Sequence, residues 1–240
     1  EIDFEIENIL KLGAELRTGV RLGRDITIEG LLAEGYEAVF VAIGAWKGIT
    51  LGVEGETASG VYDAVDFLER ANSGRDVAVG KRTVVVGGGD AAMDAARTAL
   101  RLGATDVKIL YRRGREEMPA AKAEQEEALA EGVVFEFLAA PKSIGTSGGA
   151  VTGVRAVRMT LGEPDDSGRR RPVEIPGSEF RVPADTVIVA ISQAVDADAF
   201  ATGPALTDWK TLRIHPVTLA TSVDRVFAGG DCATGPSTVI

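Results

Sequence analysis

The chain has 240 residues, 45% of them hydrophobic, and a formal net charge of −10, so it is long enough to bury a proper core in one large or two modest domains. The acidic balance argues against nucleic acid as a partner, because a phosphate backbone selects for a basic surface. No apolar run approaches the roughly 20 residues that span a bilayer, and the first residues do not resemble a signal peptide, so we expect a cytoplasmic protein with no membrane partner.

Cysteine and histidine are nearly absent from the chain. Cys232 is the single cysteine and His215 the single histidine. The chain alone therefore cannot form an internal disulfide, a CxxC redox pair or an iron–sulfur cluster, and we predict no metal site.

The amino-terminal region predicts short elements. Apolar residues at helical spacing predict a helix from Ile2 to Leu10, and Ala14 to Thr18 is predicted as a strand. A short helix is predicted from Ile28 to Ala33, with Thr27 as its N-cap. No capping residue precedes the first helix, and the chain stops at Ile240 inside a predicted helical turn, so we expect missing residues at both ends.

An apolar strand from Glu37 to Ala45 contains Gly44, for which two interpretations stay open. Gly44 either ends a core strand, or it lets the backbone approach a cofactor as the chain leaves one domain for another. The glycine-rich segment from Gly48 to Gly60 then predicts a linker, and Val61 to Ala71 is predicted as an amphipathic helix.

The stretch from Arg82 to Gly103 predicts a strand, a glycine turn and a helix. Gly87, Gly89 and Ala92 match the pattern GxGxxA. In that pattern Gly87 makes the tight turn, a side chain at Gly89 would block a pyrophosphate, and the N–H groups of the helix start receive the phosphate charge. The same glycines could serve the turn alone, so the pattern by itself leaves the ligand open.

A second strand is predicted from Asp106 to Leu110, about 20 residues after the glycines, where the motif places the group that contacts the adenosine ribose. An NAD site usually has an acidic residue there, whereas this chain has Arg112 and Arg113, followed by Arg115. Because guanidinium groups pair with a 2′-phosphate that a carboxylate would repel, the sequence favours NADP(H) over NAD(H). A solvated basic turn is the alternative.

The rest of the chain predicts further strands. A helix beginning near Pro119 and a strand from Val133 to Leu138 complete a β-α-β-α-β series, which is typical of a parallel sheet. Hairpins follow, with a turn at Pro164 to Gly168 beside three arginines, and then a buried strand from Asp185 to Ile191. Near the end, an apolar strand leads into Gly229, Gly230 and Asp231 before a predicted helix, a position at which α/β sheets bind ligands.

Together these segments resemble the NADPH-dependent glutamate synthase small (beta) subunit and related flavoproteins with two dinucleotide-binding domains. The resemblance rests on the order of several separate motifs. They are YEAVFVAIGAW, GVYDAVDFL, VVVGGGDAAMDAARTALRLGA, YRRGREEMPA, GEPDDSGRRRP, VPADTVIVAI and VFAGGDCATGPS.

The resemblance implies a doubly wound Rossmann-like α/β domain with an antiparallel hairpin layer, inserted into a partial FAD-binding domain of the same class. The implied bounds are 1–60 and 191–240 for the partial FAD-binding domain and 61–190 for the NADPH-binding domain. The implied NADPH residues are Gly87, Gly89, Asp90, Ala92 and Met93 at the pyrophosphate, with Arg112 and Arg113 at the 2′-phosphate. The implied FAD residues are Gly44, Gly230 and Asp231.

In this family hydride passes from the nicotinamide to the flavin, and electrons continue to iron–sulfur clusters, so the implied partner is an iron–sulfur protein or the glutamate synthase large subunit. No side chain is assigned as catalytic, because the protein's part is to align two rings. The family's own glycine motif for FAD is absent, so we expect the chain by itself to be inactive. Two alternatives stay open: a non-catalytic dinucleotide-binding or subunit-interaction module, and a relative of ferredoxin:NADP transhydrogenases or pyrimidine reductases with another acceptor.

Overall fold

The computed structural model describes residues 2–165, 168–200 and 203–236. The chain forms two compact units. Unit 1 comprises Glu1–Ala45 and Val195–Ile240, and unit 2 comprises Trp46–Ala194.

The elements are numbered in chain order. The helices are α1 Ile2–Lys11, α2 Ile28–Ala33, α3 Ala64–Asn72, α4 Asp90–Arg101, α5 Lys122–Ala130 and α6 Asp231–Thr234. The strands are β1 Val39–Val41, β2 Lys47–Gly48, β3 Val61–Asp63, β4 Arg82–Gly87, β5 Asp106–Tyr111, β6 Val134–Phe137, β7 Ala139–Ser147, β8 Ala150–Pro164, β9 Arg170–Pro183, β10 Thr186–Ala190, β11 Gln193–Ala194 and β12 Val226–Ala228. Short 3₁₀ turns lie at Arg115–Glu117 and Ala197–Phe200.

A five-stranded parallel sheet in the order β3-β10-β4-β5-β6 forms the centre of unit 2. The central strands consist mainly of apolar, β-branched residues, which is typical of a sheet with both faces covered. Four alanines of α4 face the sheet side and are fully buried, which lets the helix lie close to the strands. These residues are Ala92, Ala95, Ala96 and Ala99.

The second face of this sheet packs against a three-stranded antiparallel sheet, β7-β8-β9. Val84 and Val187 of the parallel sheet belong to one buried cluster with Val154 and Val182 of the antiparallel sheet. Helices therefore cover one face and hairpin strands the other. This arrangement confirms the predicted α/β class with a parallel sheet and a hairpin layer.

One local prediction in unit 2 was wrong in part. The predicted helix from Val61 to Ala71 begins as β3, because Val61–Asp63 pairs in parallel with β10. Asp63 then caps α3, since its Oδ1 accepts the backbone N–H of Val65 at 2.9 Å. The predicted turn at 164–168 lies in part outside the described residues.

Unit 1 is built on a small parallel pair, β1 and β12. Val41, Val226 and Leu212 are buried in its core. Thr27 caps α2 as predicted, accepting the N–H of Gly30 at 3.0 Å. The predicted strand at Ala14–Thr18 is wrong, because this exposed segment pairs with no strand among the described residues.

The bounds of the two units differ from the predicted 1–60, 61–190 and 191–240. Residues 46–60 and 191–194 belong to unit 2, because β2 pairs with β11 and the carbonyl of Glu54 accepts the N–H of Ile144 at 2.8 Å. Which cofactor each unit binds stays a prediction.

Candidate functional site

The turn between β4 and α4 lies at the carboxyl edge of the parallel sheet. The strand β4 has β5 as one neighbour and β10 as the other, and α4 connects β4 to β5. Strand order therefore reverses at β4, and an open α/β sheet binds its ligands in the crevice at such a point. Gly87 at the end of β4 pairs with Ala190 at the end of β10, so these two residues border the crevice.

The three glycines of this turn have different structural roles. Gly87 has a φ of +152°, and a Cβ there would collide with the carbonyl oxygen of Ala190. A Cβ on Gly88 would lie 2.5 Å from the ring of Tyr111. Gly89 has an ordinary φ of −91°, and a Cβ there would meet no atom within 4 Å. The protein's own packing thus requires the first two glycines, whereas the third leaves open space at the start of α4.

The amino-terminal end of α4 has no side-chain cap, because its N-cap residue is Gly89. The first-turn N–H groups of a helix lack partners within the helix and carry the positive end of its dipole. Ala92 and Met93 are fully buried beneath this turn, and their N–H groups donate to the carbonyl of Gly89. They support the turn by packing, and an anion above Gly89 would meet backbone donors.

Asp90 joins the glycine turn to the segment before α5. Its Oδ1 accepts the backbone N–H of Ala121 at 2.9 Å. The N–H of Ala120 donates to the carbonyl of Gly88 at 3.0 Å, and the Tyr111 hydroxyl donates to the carbonyl of Glu117 at 2.7 Å. The segment with the motif YRRGREEMPA therefore stabilises the glycine turn through these hydrogen bonds. Strand and helix patterns in the sequence do not predict such contacts.

The two arginines after β5 have different surroundings. Arg112 is exposed, and its side chain makes no hydrogen bond or ion pair with any residue that the structure describes. Arg113 is only 4% exposed. Its Nε donates to the carbonyl of Arg170 at 2.8 Å, and its Nη2 donates to Asp165 at 2.5 Å. Sequence reasoning missed Asp165, because it lies 52 residues further along the chain in a predicted turn.

In unit 1, the structure brings the remaining predicted residues together at the carboxyl ends of β1 and β12. Gly44 and Gly230 have φ values of +68° and +70°, which favour glycine. The N–H of Gly229 donates to the carbonyl of Val41 at 3.1 Å. Asp231 is half-buried at the first position of α6, and a Cβ on Gly230 would meet no atom within 4 Å.

The family model for pyridine nucleotide-disulphide oxidoreductases matches residues 12–240. The chain is a member of that family. Its single cysteine lies in the core of unit 1, where the thiol donates to the carbonyl of Gly229 at 3.2 Å. Burial raises the pKa of Cys232, although neighbouring backbone hydrogen bonds, including those at Ile43 and Gly44, oppose the shift. Residues 1–240 by themselves therefore cannot form a disulfide pair, and their single thiol is not activated.

Among curated proteins, this family member is 46% identical over 239 residues to the NADP(+)-dependent formate dehydrogenase subunit beta of Moorella thermoacetica, covering 98% of this chain and 34% of that protein. It is 38% identical to the glutamate synthase [NADPH] small chain of Escherichia coli K12, covering 95% of this chain and 52% of that protein. The resemblance to glutamate synthase small subunits is confirmed. The chain spans about a third to a half of the length of these two relatives.

Solved structures of other proteins have the same fold as this chain. Mycobacterium tuberculosis FprA in complex with NADPH matches with a TM-score of 0.77 at 23% identity, covering 98% of this chain and 67% of that chain. Thioredoxin reductase of T. acidophilum matches with a TM-score of 0.63 at 20% identity, covering 83% and 58% respectively. Within the described residues, no helix is both long and apolar enough to cross a bilayer.

Proposed function

We propose that unit 2 binds NADPH at the β4–α4 turn and that unit 1 contributes to an FAD site, so that the protein transfers hydride between NADPH and flavin. The observation that carries this proposal is the open space at Gly89 above the uncapped start of α4. A pyrophosphate fits there, because the position offers backbone N–H donors, positive dipole charge and no competing side chain.

The preference for NADPH over NADH follows from the residues after β5. Arg112 is exposed and free of any ion pair within the described part of the chain, so it can contact a 2′-phosphate without first losing a partner. The names of the relatives in Moorella and Escherichia, which refer to NADP(+) and NADPH, support this assignment.

The FAD site rests on Gly44, Gly230 and Asp231, which follow the carboxyl ends of the paired strands β1 and β12 in unit 1. Both glycines have positive φ values, a Cβ on Gly230 would meet no atom within 4 Å, and the Asp231 carboxylate can accept hydrogen bonds from ribityl or ribose hydroxyls. When bound, the flavin supplies the hydride-accepting chemistry. The residues of this chain bind and orient the two cofactors, and no side chain acts as an acid, base or nucleophile.

Electrons would then pass to an iron–sulfur partner in the cytoplasm. The glutamate synthase large subunit is one such partner. A different acceptor is the second candidate, since relatives at 46% and 42% identity are named as beta subunits of a formate dehydrogenase and of an NADPH-Fe(3+) oxidoreductase from Geobacter sulfurreducens. Both candidates use the same nucleotide site.

Calorimetric titration with NADPH and NADH tests the nucleotide assignment. We expect NADPH to bind at least about tenfold more tightly, because one charge-assisted hydrogen bond contributes about 1.5–3 kcal/mol. Arg112→Ala should remove this preference, whereas Arg171→Ala, an exposed arginine on β9, is the matched control. Equal affinity for both nucleotides in the unmodified protein would contradict the proposal.

The hydride transfer is tested by visible absorption. The protein is incubated with FAD, and its spectrum is recorded before and after anaerobic addition of NADPH. Loss of the flavin absorption on adding NADPH is the expected result for the protein with a complete FAD site, whereas residues 1–240 by themselves are expected to leave the flavin oxidised. A protein that holds FAD but leaves it oxidised in NADPH would instead be a binding module.

A further inference from the structure

The hairpin of β8 and β9 contacts the end of β5 through a partly buried ion pair between Arg113 and Asp165. Arg113 donates from Nη2 to Asp165, which directly follows β8, and from Nε to the carbonyl of Arg170, which begins β9. The Arg113 and Asp165 side chains are 5% and 23% exposed. The carbonyl of Arg113 also accepts the N–H of Leu138 at 3.1 Å, so this residue joins β5, the β6–β7 corner and the hairpin.

A 2′-phosphate at Arg113 would be unfavourable in this arrangement. The phosphate would stand beside the Asp165 carboxylate, and two anions at one buried guanidinium repel each other. If Arg113 turned away instead, the Asp165 carboxylate and the carbonyl of Arg170 would both lose a hydrogen-bond donor. Neither cost applies to Arg112, which is exposed and without a partner in the described residues.

We propose that the two adjacent arginines divide their roles, an inference that rests on the proposed NADPH site. Arg112 contacts the 2′-phosphate. Arg113 is a positioning residue, held by Asp165, that fixes the backbone from which Arg112 extends. Asp165 thereby helps to determine nucleotide specificity from the hairpin layer, although it does not touch the nucleotide.

A competing arrangement predicts an effect of the opposite sign. If Arg113 were itself a phosphate ligand, it would leave Asp165 when NADPH binds, and Asp165 would compete with the nucleotide. Neutralising Asp165 would then strengthen NADPH binding. If Asp165 positions Arg113, neutralising it weakens NADPH binding.

The experiment measures the dissociation constants of NADPH and NADH by calorimetry for the full chain and for Arg112→Ala, Asp165→Asn and Asp165→Glu. Glu174→Gln is the matched control, because Glu174 of β9 forms an exposed ion pair with Lys142 of β7 in the same hairpin sheet. Circular dichroism shows whether each variant is folded. Arg112→Ala changes only an exposed side chain, so it tests the inference even if Asp165→Asn does not fold.

We expect Arg112→Ala to weaken NADPH binding at least about tenfold with NADH unchanged, since it removes a charge-assisted contact to the 2′-phosphate. Asp165→Asn should weaken NADPH binding about threefold or more with NADH little changed, as expected for lost preorganisation. Asp165→Glu should restore part of the loss, and Glu174→Gln should leave both constants unchanged.

Tighter NADPH binding by Asp165→Asn would overturn the division of roles. An equal loss of affinity for NADPH and NADH in Asp165→Asn would also overturn it, because such a loss indicates a structural role alone. An unmodified protein that prefers NADPH, with Arg112→Ala keeping that preference, would overturn this inference but not the proposed function. An unmodified protein that binds neither nucleotide would overturn both.

Discussion

The carboxylate of Asp90 accepts the backbone N–H of Ala121 at 2.9 Å, which links the first residue of α4 to the N-cap of α5. An acidic residue in the first turn of a helix also interacts favourably with the helix dipole. Asp90 thus stabilises the turn from its own helix and from the neighbouring one. The family resemblance implies a place for Asp90 at the pyrophosphate, and the structure adds this contact within the fold.

We expect Asp90→Ala to lower the free energy of unfolding by about 1 kcal/mol, the usual net contribution of one hydrogen bond. Urea denaturation of the variant and of the unmodified chain measures the difference. The control is Glu126→Ala, an exposed carboxylate on α5. An equal effect of the two substitutions would mean that the bond to Ala121 contributes nothing specific.

Alanine at two adjacent glycines separates folding from binding. Gly88→Ala should destabilise the protein by about 2 kcal/mol, because the new methyl group overlaps the Tyr111 ring. Gly89→Ala should change stability by less than about 1 kcal/mol, since its φ is ordinary and no atom lies within 4 Å.

The Gly89 substitution, which should change stability little, should have a large effect on NADPH binding. We expect Gly89→Ala to weaken NADPH binding at least about tenfold, because the methyl group occupies the space assigned to the pyrophosphate. Thermal unfolding and NADPH titration together measure both properties. NADPH binding that survives Gly89→Ala unchanged would place the nucleotide elsewhere.

The ion pair of Arg82 and Asp185 joins the starts of β4 and β10. Because of this pair, we expect the free energy of unfolding to decrease in acid. Hydrogen bonds from the Arg82 side chain are the main cause that lowers the pKa of Asp185 below its ordinary value near 4. In the window just below that ordinary value, the unfolded chain binds a proton that the folded chain does not. The pair's contribution is therefore present at neutral pH and is lost as pH falls through the lowered pKa.

Urea unfolding of the unmodified chain and of Asp185→Asn, from about pH 6 to about pH 3, measures this effect. The difference in stability between them should shrink towards the acid end. It should also shrink in high salt, because the pair is partly exposed. A constant difference across this range would show that the carboxylate charge plays no part.

Cys232 should resist alkylation in the folded protein. Its thiol is fully buried, and burial raises its pKa, so little thiolate forms at neutral pH. Because it is the single cysteine, the labelled fraction reports on this one site. We expect slow labelling by iodoacetamide in buffer and complete labelling in denaturant, measured by mass spectrometry. Equal rates in both conditions would mean that the core of unit 1 opens readily.

Local sequence pattern was enough to predict the strand, turn and helix around the glycines. The run from Thr83 to Val86, the glycines and the alanine stripe of α4 specify a strand, turn and helix, because side-chain periodicity and backbone freedom act within a few residues. The same reasoning identified the motifs behind the family resemblance. The helix predicted for Val61–Asp63 was wrong, because pairing of this segment with the distant β10 outweighed its helical pattern.

The difference between the two arginines after β5 depends on long-range packing. Arg112 and Arg113 are the same residue type at adjacent positions, so no local signal separates them. The hairpin places Asp165 and the carbonyl of Arg170 against one guanidinium and leaves the other exposed. Contacts between residues more than 50 positions apart depend on the packing of whole sheets, and that packing is what gives each arginine its surroundings.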